Sequence, residues 1–389
     1  MPAITALPAR AGLFALILCL VLALPVRALD TAARAAYVID HDTRTVLLSK
    51  NAETLLPPAS MSKLMTLLMV FEALQSGRLM LSDTFRVSEK AWAMGGSKMF
   101  LREGEDVSVE DLIRGVIVQS GNDACVVIAE GLAGSEAAFA DRMTRRAREL
   151  GMTASVFVNA TGWPHPDHVM PSRDLVLLAA HMIDTYPEYY AYFAETEFSW
   201  DGIDQRNRNP LLGLGLGADG LKTGHTEEAG FGLVASAMRD GRRVTMMVTG
   251  LPTSRARLVE SERLINWAFR EFYATTLFKA GEPIAAADVW VGAEATVDLV
   301  AAEDIEVVIP FEAEGKIATH VVYDGPVAAP IAAAAPIGEL VVEIPGLGQQ
   351  RVPLEAGAAV GEGGFLAKFT ASAQILGGRL LTTAAEMID

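Results

Sequence analysis

A serine and a lysine three residues apart open an apolar helical stretch. In Ser60-Met61-Ser62-Lys63, positions i and i+3 share a helix face, so the hydroxyl and the amine can come within hydrogen-bond reach. The serine then sits at a helix N-terminus, where backbone N–H groups favour developing negative charge. Such a pair suits nucleophilic attack by Ser60 with Lys63 as the base, provided burial or a second cation lowers the lysine pKa. A capping serine followed by a surface lysine has the same spelling, but no other serine in the chain has a lysine three residues on. Ser120-Gly121-Asn122 reads as a helix-breaking turn with an asparagine cap. Lys222-Thr223-Gly224 lies on a predicted strand, where the glycine lets a ligand or another side chain approach the backbone closely.

Other chemistries find little material. None of the six histidines is followed by glutamate and no cysteine pair exists, so no metal or other cofactor is expected. His165 and His168, flanking Pro166, read as exposed loop residues. Cys125, between Ala124 and Val126, reads as a small core residue with no base nearby. No glycine-x-serine-x-glycine elbow occurs, which speaks against an α/β-hydrolase.

The elements that must carry these segments follow from periodicity. Ala36–Asp40 and Thr45–Lys50 predict a hairpin around His41-Asp42-Thr43-Arg44. From Ser60, residues Leu64, Leu67, Leu68, Phe71 and Leu74 keep helical spacing, with Pro57-Pro58 as an upstream stop. Helices are expected over Ser108–Val118, Asp123–Leu132, Glu136–Leu150 and Ser172–Asp184. Strands are expected over Gly220–Thr223, Gly232–Met238 and Arg243–Thr249, and a long helix over Ser254–Phe272. A helical cluster between sheet segments from both ends of a region is an α+β arrangement. The three chemical segments then fall at a helix start, an inter-helix turn and a strand.

The chain has 389 residues and a net charge of −16, which disfavours nucleic acid as a partner. Residues 280–389 hold four Lys/Arg against sixteen Asp/Glu, twelve of those sixteen net charges. That shift argues for a boundary near 275–282. Beyond it, over 283–360, Val289–Val291, Ile305–Ile309, Ala318–Tyr323 and Glu339–Ile344 alternate as in a small all-β domain, with Val327–Ile337 as loop or edge. Arg10, the apolar run Leu13–Leu24, Pro25 and the small-residue site ending at Ala28 read as a secretory signal peptide over 1–28, with Cys19 inside it. Residues 365–389 put Phe365, Phe369, Leu376, Leu380 and Met387 on one face, a candidate amphipathic helix for weak attachment to a membrane surface.

Together, in this order, the three chemical segments resemble the signature of penicillin-binding proteins and class A β-lactamases. Gly96-Ser97-Lys98-Met99-Phe100-Leu101, Asp123-Ala124, Asp219-Gly220-Leu221, His225-Thr226, Ala229-Gly230-Phe231 and Leu233-Val234-Ala235-Ser236-Ala237 extend the likeness. The chain is similar to the D-alanyl-D-alanine carboxypeptidases among the low-molecular-mass penicillin-binding proteins. The likeness covers 33–275 strongly and implies a catalytic domain over 29–276. It implies that Ser60 attacks the peptide bond between two terminal D-alanines of a peptidoglycan stem peptide and that Lys63 takes its proton. It also implies that Ser120 relays a proton to the leaving D-alanine, and that Asn122 holds the substrate amide. The N–H groups of Ser60 and His225 would form the oxyanion hole, Lys222 and Thr223 would bind the terminal carboxylate with Arg257 assisting, and Gly224 would belong to the same substrate-binding strand. β-Lactams should acylate Ser60, and the protein should work in the periplasm. D,D-endopeptidase or transpeptidase action uses the same acyl-enzyme and stays open. A class A β-lactamase needs a glutamate-x-x-leucine-asparagine loop, and no asparagine between 123 and 221 follows a leucine. An idle peptidoglycan-binding module would need neither nucleophile nor base.

Overall fold

The computed structural model describes residues 29–365. The expected signal peptide, and all of the expected C-terminal helix after Phe365, lie outside them. A first hairpin, β1 (Ala35–Asp40) and β2 (Val46–Lys50), leads through a 3-10 turn at Ala59–Ser62 into α1 (Lys63–Gln75). Helices α2 (Val109–Ile117), α3 (Asn122–Ala133), α4 (Glu136–Glu149) and α5 (Ser172–Thr185) follow. Next come β3 (Ala218–Thr226), β4 (Gly230–Arg239), β5 (Arg242–Leu251) and the long α6 (Ser254–Arg270). The five strands form one antiparallel sheet, order β2-β1-β5-β4-β3. The hairpin at the start of the chain thus closes onto the strands at the end of the region, with the helices between, as α+β requires.

Helix α1 is apolar nearly all round. Leu64, Met65, Leu67, Leu68, Val70 and Phe71 are fully buried, which marks a central core helix rather than a surface one. It packs against α3, α4 and α5. The Ser60 turn docks on β3 because Gly224 has no side chain: a methyl there would lie 3.0 Å from Met61 Cγ and 3.0 Å from the Pro58 carbonyl. Gly162 is needed for the same reason, since its φ is +76° and an added Cβ would sit 2.0 Å from the Ala59 carbonyl oxygen.

The expected long helix stops short. Phe272 continues the helical apolar spacing but instead begins strand β6 (Phe272–Phe278). That strand pairs antiparallel with β9 (Ile305–Pro310), so the second domain's backbone pairing starts one residue after α6 ends, ahead of the expected 275–282. The second domain adds β7 (Ala285–Trp290), β8 (Thr296–Val300), β10 (Ala318–Tyr323), β11 (Pro336–Ile344) and β12 (Gly348–Ala356). These form a mainly antiparallel sheet, order β10-β11-β12-β8-β7, with the two-residue strand Val327–Ala328 added parallel at the β7 edge. Its core gathers Leu299, Val307, Ile309, Leu340, Val342 and Leu354.

Candidate active site

The 3-10 turn and the start of α1 bring Ser60 Oγ within 2.8 Å of Lys63 Nζ. Lys63 is fully buried. Its amine also donates to Asn122 Oδ1 at 2.8 Å and to the Thr161 carbonyl at 2.6 Å. Two fixed acceptors use two N–H bonds, so in the neutral amine the lone pair is left facing the serine. Burial, with Arg208 adding to it, lowers the Lys63 pKa from the usual 10.5 to about 8. The condition set by the sequence for a lysine base is therefore met by desolvation first and a neighbouring cation second.

Asn122 is held from both ends of its amide. Its Oδ1 receives Lys63, its Nδ2 donates to the Gly95 carbonyl at 2.8 Å, and its backbone N–H reaches the Ser97 carbonyl at 2.8 Å. The next residue, Asp123, is fully buried and accepts from the N–H groups of Met99 and Leu101, at 2.8 and 3.2 Å. The Gly96–Leu101 segment is thereby stitched to the turn that carries Ser120 and Asn122. Ser120 is 2% exposed with φ +58°, and Ala59, just before the nucleophile, has φ +48°. Left-handed backbone at non-glycine residues costs on the order of 1–3 kcal/mol each and persists where surrounding contacts impose it, commonly at functional sites.

Strand β3 forms the opposite wall. Lys222 is buried and donates to the Thr223 carbonyl at 3.3 Å. Burial, then Lys63, Arg208 and Arg257, push its pKa well down. An ammonium buried among like charges favours the arrival of an anion. Arg257, on α6, is 8% exposed, lies over the Phe231 ring at 5.8 Å, and leaves Nε buried without a partner. Thr223 is buried, while His225 is exposed with its ring 3.9 Å from that of Phe231.

The structure thus joins Ser60, Lys63 and Asn122 by direct hydrogen bonds and sets Lys222 and Arg257 in one electrostatic neighbourhood with them. Sequence reasoning missed Arg208, which donates to Ser97 Oγ and acts on both lysines. Its place is set by a loop, in which buried Asn209 ties its Nδ2 to the Gly220 carbonyl at 2.8 Å, and no periodicity marks such a tie. His168 corrects an expectation: it is 2% exposed, not a loop-surface residue, because Pro166-Asp167 turns its ring inward against Phe157 at 5.6 Å. Burial lowers its pKa to about 4. His165 stays partly exposed. Cys125 is buried as expected, and burial drives its thiol up to about 12. Among the described residues, no group of three His, Cys, Asp or Glu side chains is placed to hold a metal.

Comparison with known proteins follows the same division of the chain. Residues 23–253 match the family profile described as D-alanyl-D-alanine carboxypeptidase, and residues 272–362 match the penicillin-binding protein 5 C-terminal domain. The chain is 37% identical to the D-alanyl-D-alanine carboxypeptidase DacC of Escherichia coli K12 over 351 residues, 88% of each chain. It superposes on penicillin-binding protein 5 from Haemophilus influenzae with a TM-score of 0.79 and 34% identity, covering 86% of this chain and 99% of that one. The ampicillin-bound penicillin-binding protein D2 of Listeria monocytogenes matches with a TM-score of 0.57 and 32% identity, covering 62% of this chain and 99% of that one.

Proposed function

The chain belongs to the D-alanyl-D-alanine carboxypeptidase family and is a serine-type enzyme of that kind, and from this membership we propose how its residues divide the reaction. Ser60 Oγ attacks the carbonyl between the two terminal D-alanines of a peptidoglycan stem peptide as neutral Lys63 takes the hydroxyl proton. The oxyanion is held by the N–H groups of Ser60 and His225, an arrangement in which one donor is typically worth about 10²–10³ in rate. As the tetrahedral intermediate collapses, the C–N bond breaks and the proton passes from Lys63 through Ser120 to the leaving amine. Lys222 and Thr223, next to Gly224 on one strand, bind the terminal carboxylate with Arg257, and Asn122 orients the acyl-side amide. Water then attacks the ester, releasing the shortened peptide and returning the proton to Ser60.

The observation that carries this reading is the fully buried Lys63, with two acceptors fixed and its third position on Ser60. A β-lactam presents the same acyl group and carboxylate, and should acylate Ser60. Ser60→Ala should abolish both D-alanine release from a pentapeptide and covalent labelling by a fluorescent penicillin, with the melting temperature little changed. Labelling that survives would sink the assignment. The acidic second domain and the 365–389 segment fit a periplasmic enzyme attached weakly to the membrane surface. No described helix is long and apolar enough to cross a membrane. Liposome flotation with and without residues 365–389 tests this, and equal flotation would remove the attachment.

A further inference from the structure

The joint between the two domains encloses a cavity of about 770 Å³, walled by the β4–β5 turn and the end of α6 on one side and by Tyr273 and Phe311 on the other. It lies far from the cleft. Thr223 pairs with Leu233 across the β3–β4 ladder, and Arg239, which lines the cavity, ends β4 six residues further on. At about 3.3 Å per residue the two places are roughly 20 Å apart. Arg239 is held there by neutral partners. Its Nε donates to the Leu216 carbonyl at 2.8 Å, its Nη2 donates to Asn266 Oδ1 at 2.9 Å, and its guanidinium lies 4.7 Å from the centre of the Phe269 ring. Among the described residues it forms no ion pair, and its Nη1 forms no hydrogen bond.

The neighbouring charges are already matched or lie in solvent. Arg242 stands 5.6 Å from the same Phe269 ring, but its Nε donates to buried Asp40 at 2.7 Å. Arg270 pairs with Glu271 at 2.8 Å in the open, where such a pair is worth little. Asp240, on the rim, is exposed at the tip of the β4–β5 turn, where water and salt screen it. The facing wall is aromatic. Tyr273 and Phe311 pack with ring centres 4.9 Å apart and planes tilted by 35°. The Phe311 N–H is fixed to the Glu271 carbonyl at 3.0 Å, yet the residue is 53% exposed. A positioned guanidinium without a counter-ion and a positioned, half-covered aromatic face therefore look onto one space. That pairing suits a ring with an apolar C–H face and a carboxylate substituent.

We propose that the junction cavity binds a carboxylate-bearing sugar of a peptidoglycan glycan strand, with the carboxylate on Arg239 Nη1 and the sugar ring against Phe311. This rests on the reading of the chain as a peptidoglycan carboxypeptidase. Only a polymer reaches both places at once, since a tripeptide spans at most about 10 Å. Holding the strand at the joint raises the local concentration of stem peptides at the cleft without touching the chemistry there. A flat anionic membrane is a poorer occupant: it would bring its whole surface charge against the acidic second domain, whereas one strand enters the cavity alone.

The test fills the cleft of the full chain by acylating Ser60 with a fluorescent penicillin, then sediments the labelled protein with purified peptidoglycan. The labelled wild type should still cosediment. Arg239→Gln should weaken that association about tenfold, the size expected for one charged contact, and Phe311→Ala should weaken it as well. Both variants should keep kcat/KM on a soluble acetyl-lysyl-D-alanyl-D-alanine within about twofold. On the wild type, N-acetylmuramic acid should release the protein at about one tenth of the concentration needed with N-acetylglucosamine, which lacks the carboxylate. That comparison decides even if a variant does not fold. Association unchanged in both variants, equal release by the two sugars, or a parallel loss on the soluble peptide overturns the site. Phosphatidylglycerol vesicles that hold the wild type and release Arg239→Gln would assign the cavity to a membrane surface and overturn it too. Absence of label at Ser60 counts against the nucleophile alone, and the two sugars then decide the cavity on unlabelled protein.

Discussion

A buried lysine hydrogen-bonded to a serine makes a specific statement about pH. With a pKa of about 8, roughly one Lys63 in ten is neutral at pH 7 and most are neutral at pH 9. Acylation by a fluorescent penicillin should therefore rise about tenfold between those values and level off above them. Lys63→Arg keeps a cation but cannot release its proton at accessible pH, so it should lose nearly all acylation and show no such rise. An arginine variant that kept most of the rate would remove Lys63 from the role of base. The residue types for this chemistry were legible in the sequence because the serine and lysine sit one helical turn apart. The depth of burial that makes the lysine a base was not, since it comes from Thr161 and Asn122, 98 and 59 residues away.

Among the elements, the loop between α4 and α5 closes the site, and its least expected member is His168. Its pKa of about 4 lies below the ordinary 6.5, so between those values the unfolded chain binds more protons than the folded one. The stability this group contributes is complete above pH 6.5 and is lost as pH falls toward 4, on the order of 2–4 kcal/mol. His168→Leu should therefore show a smaller drop in melting temperature between pH 7 and pH 4.5 than the wild type; an equal drop would assign the acid sensitivity elsewhere. Most elements of the catalytic region were readable because their signals are local: an apolar run ending at a polar turn in the Ala35–Asp40 hairpin strand, 3.6 spacing in α1. The reading failed where a period runs through a boundary. Phe272 extends the spacing of Ile265, Ala268 and Phe269, yet Glu271 ends the helix, and only the partner strand Ile305–Pro310, far along the chain, shows that Phe272 belongs to a sheet. Strands β8 and β12 were missed for the same cause, being short or interrupted runs whose pairing is decided across the sheet.

For the whole molecule, the three chemical segments all precede residue 225 and rest on a core separate from that of the second domain. A chain truncated after Tyr273 keeps the Phe272 ring against Trp267 and the Phe272 carbonyl on Arg242 Nη1. It should fold and cleave a soluble peptide within about twofold of the full chain, as expected of a domain with its own core; a folded but inactive product would give the β-domain a part in the chemistry. The junction itself has little slack. One residue separates α6 from β6, Arg242 Nη1 grips the Ala268 and Phe272 carbonyls on either side of it at 2.9 and 3.0 Å, and the Phe311 N–H reaches the Glu271 carbonyl at 3.0 Å. A tethered enzyme searches a volume whose radius grows with the tether, but a clamped joint acts as a strut. Wherever the far end of the β-domain is held, the cleft works at a set standoff, and its reach changes only with the length of the strut.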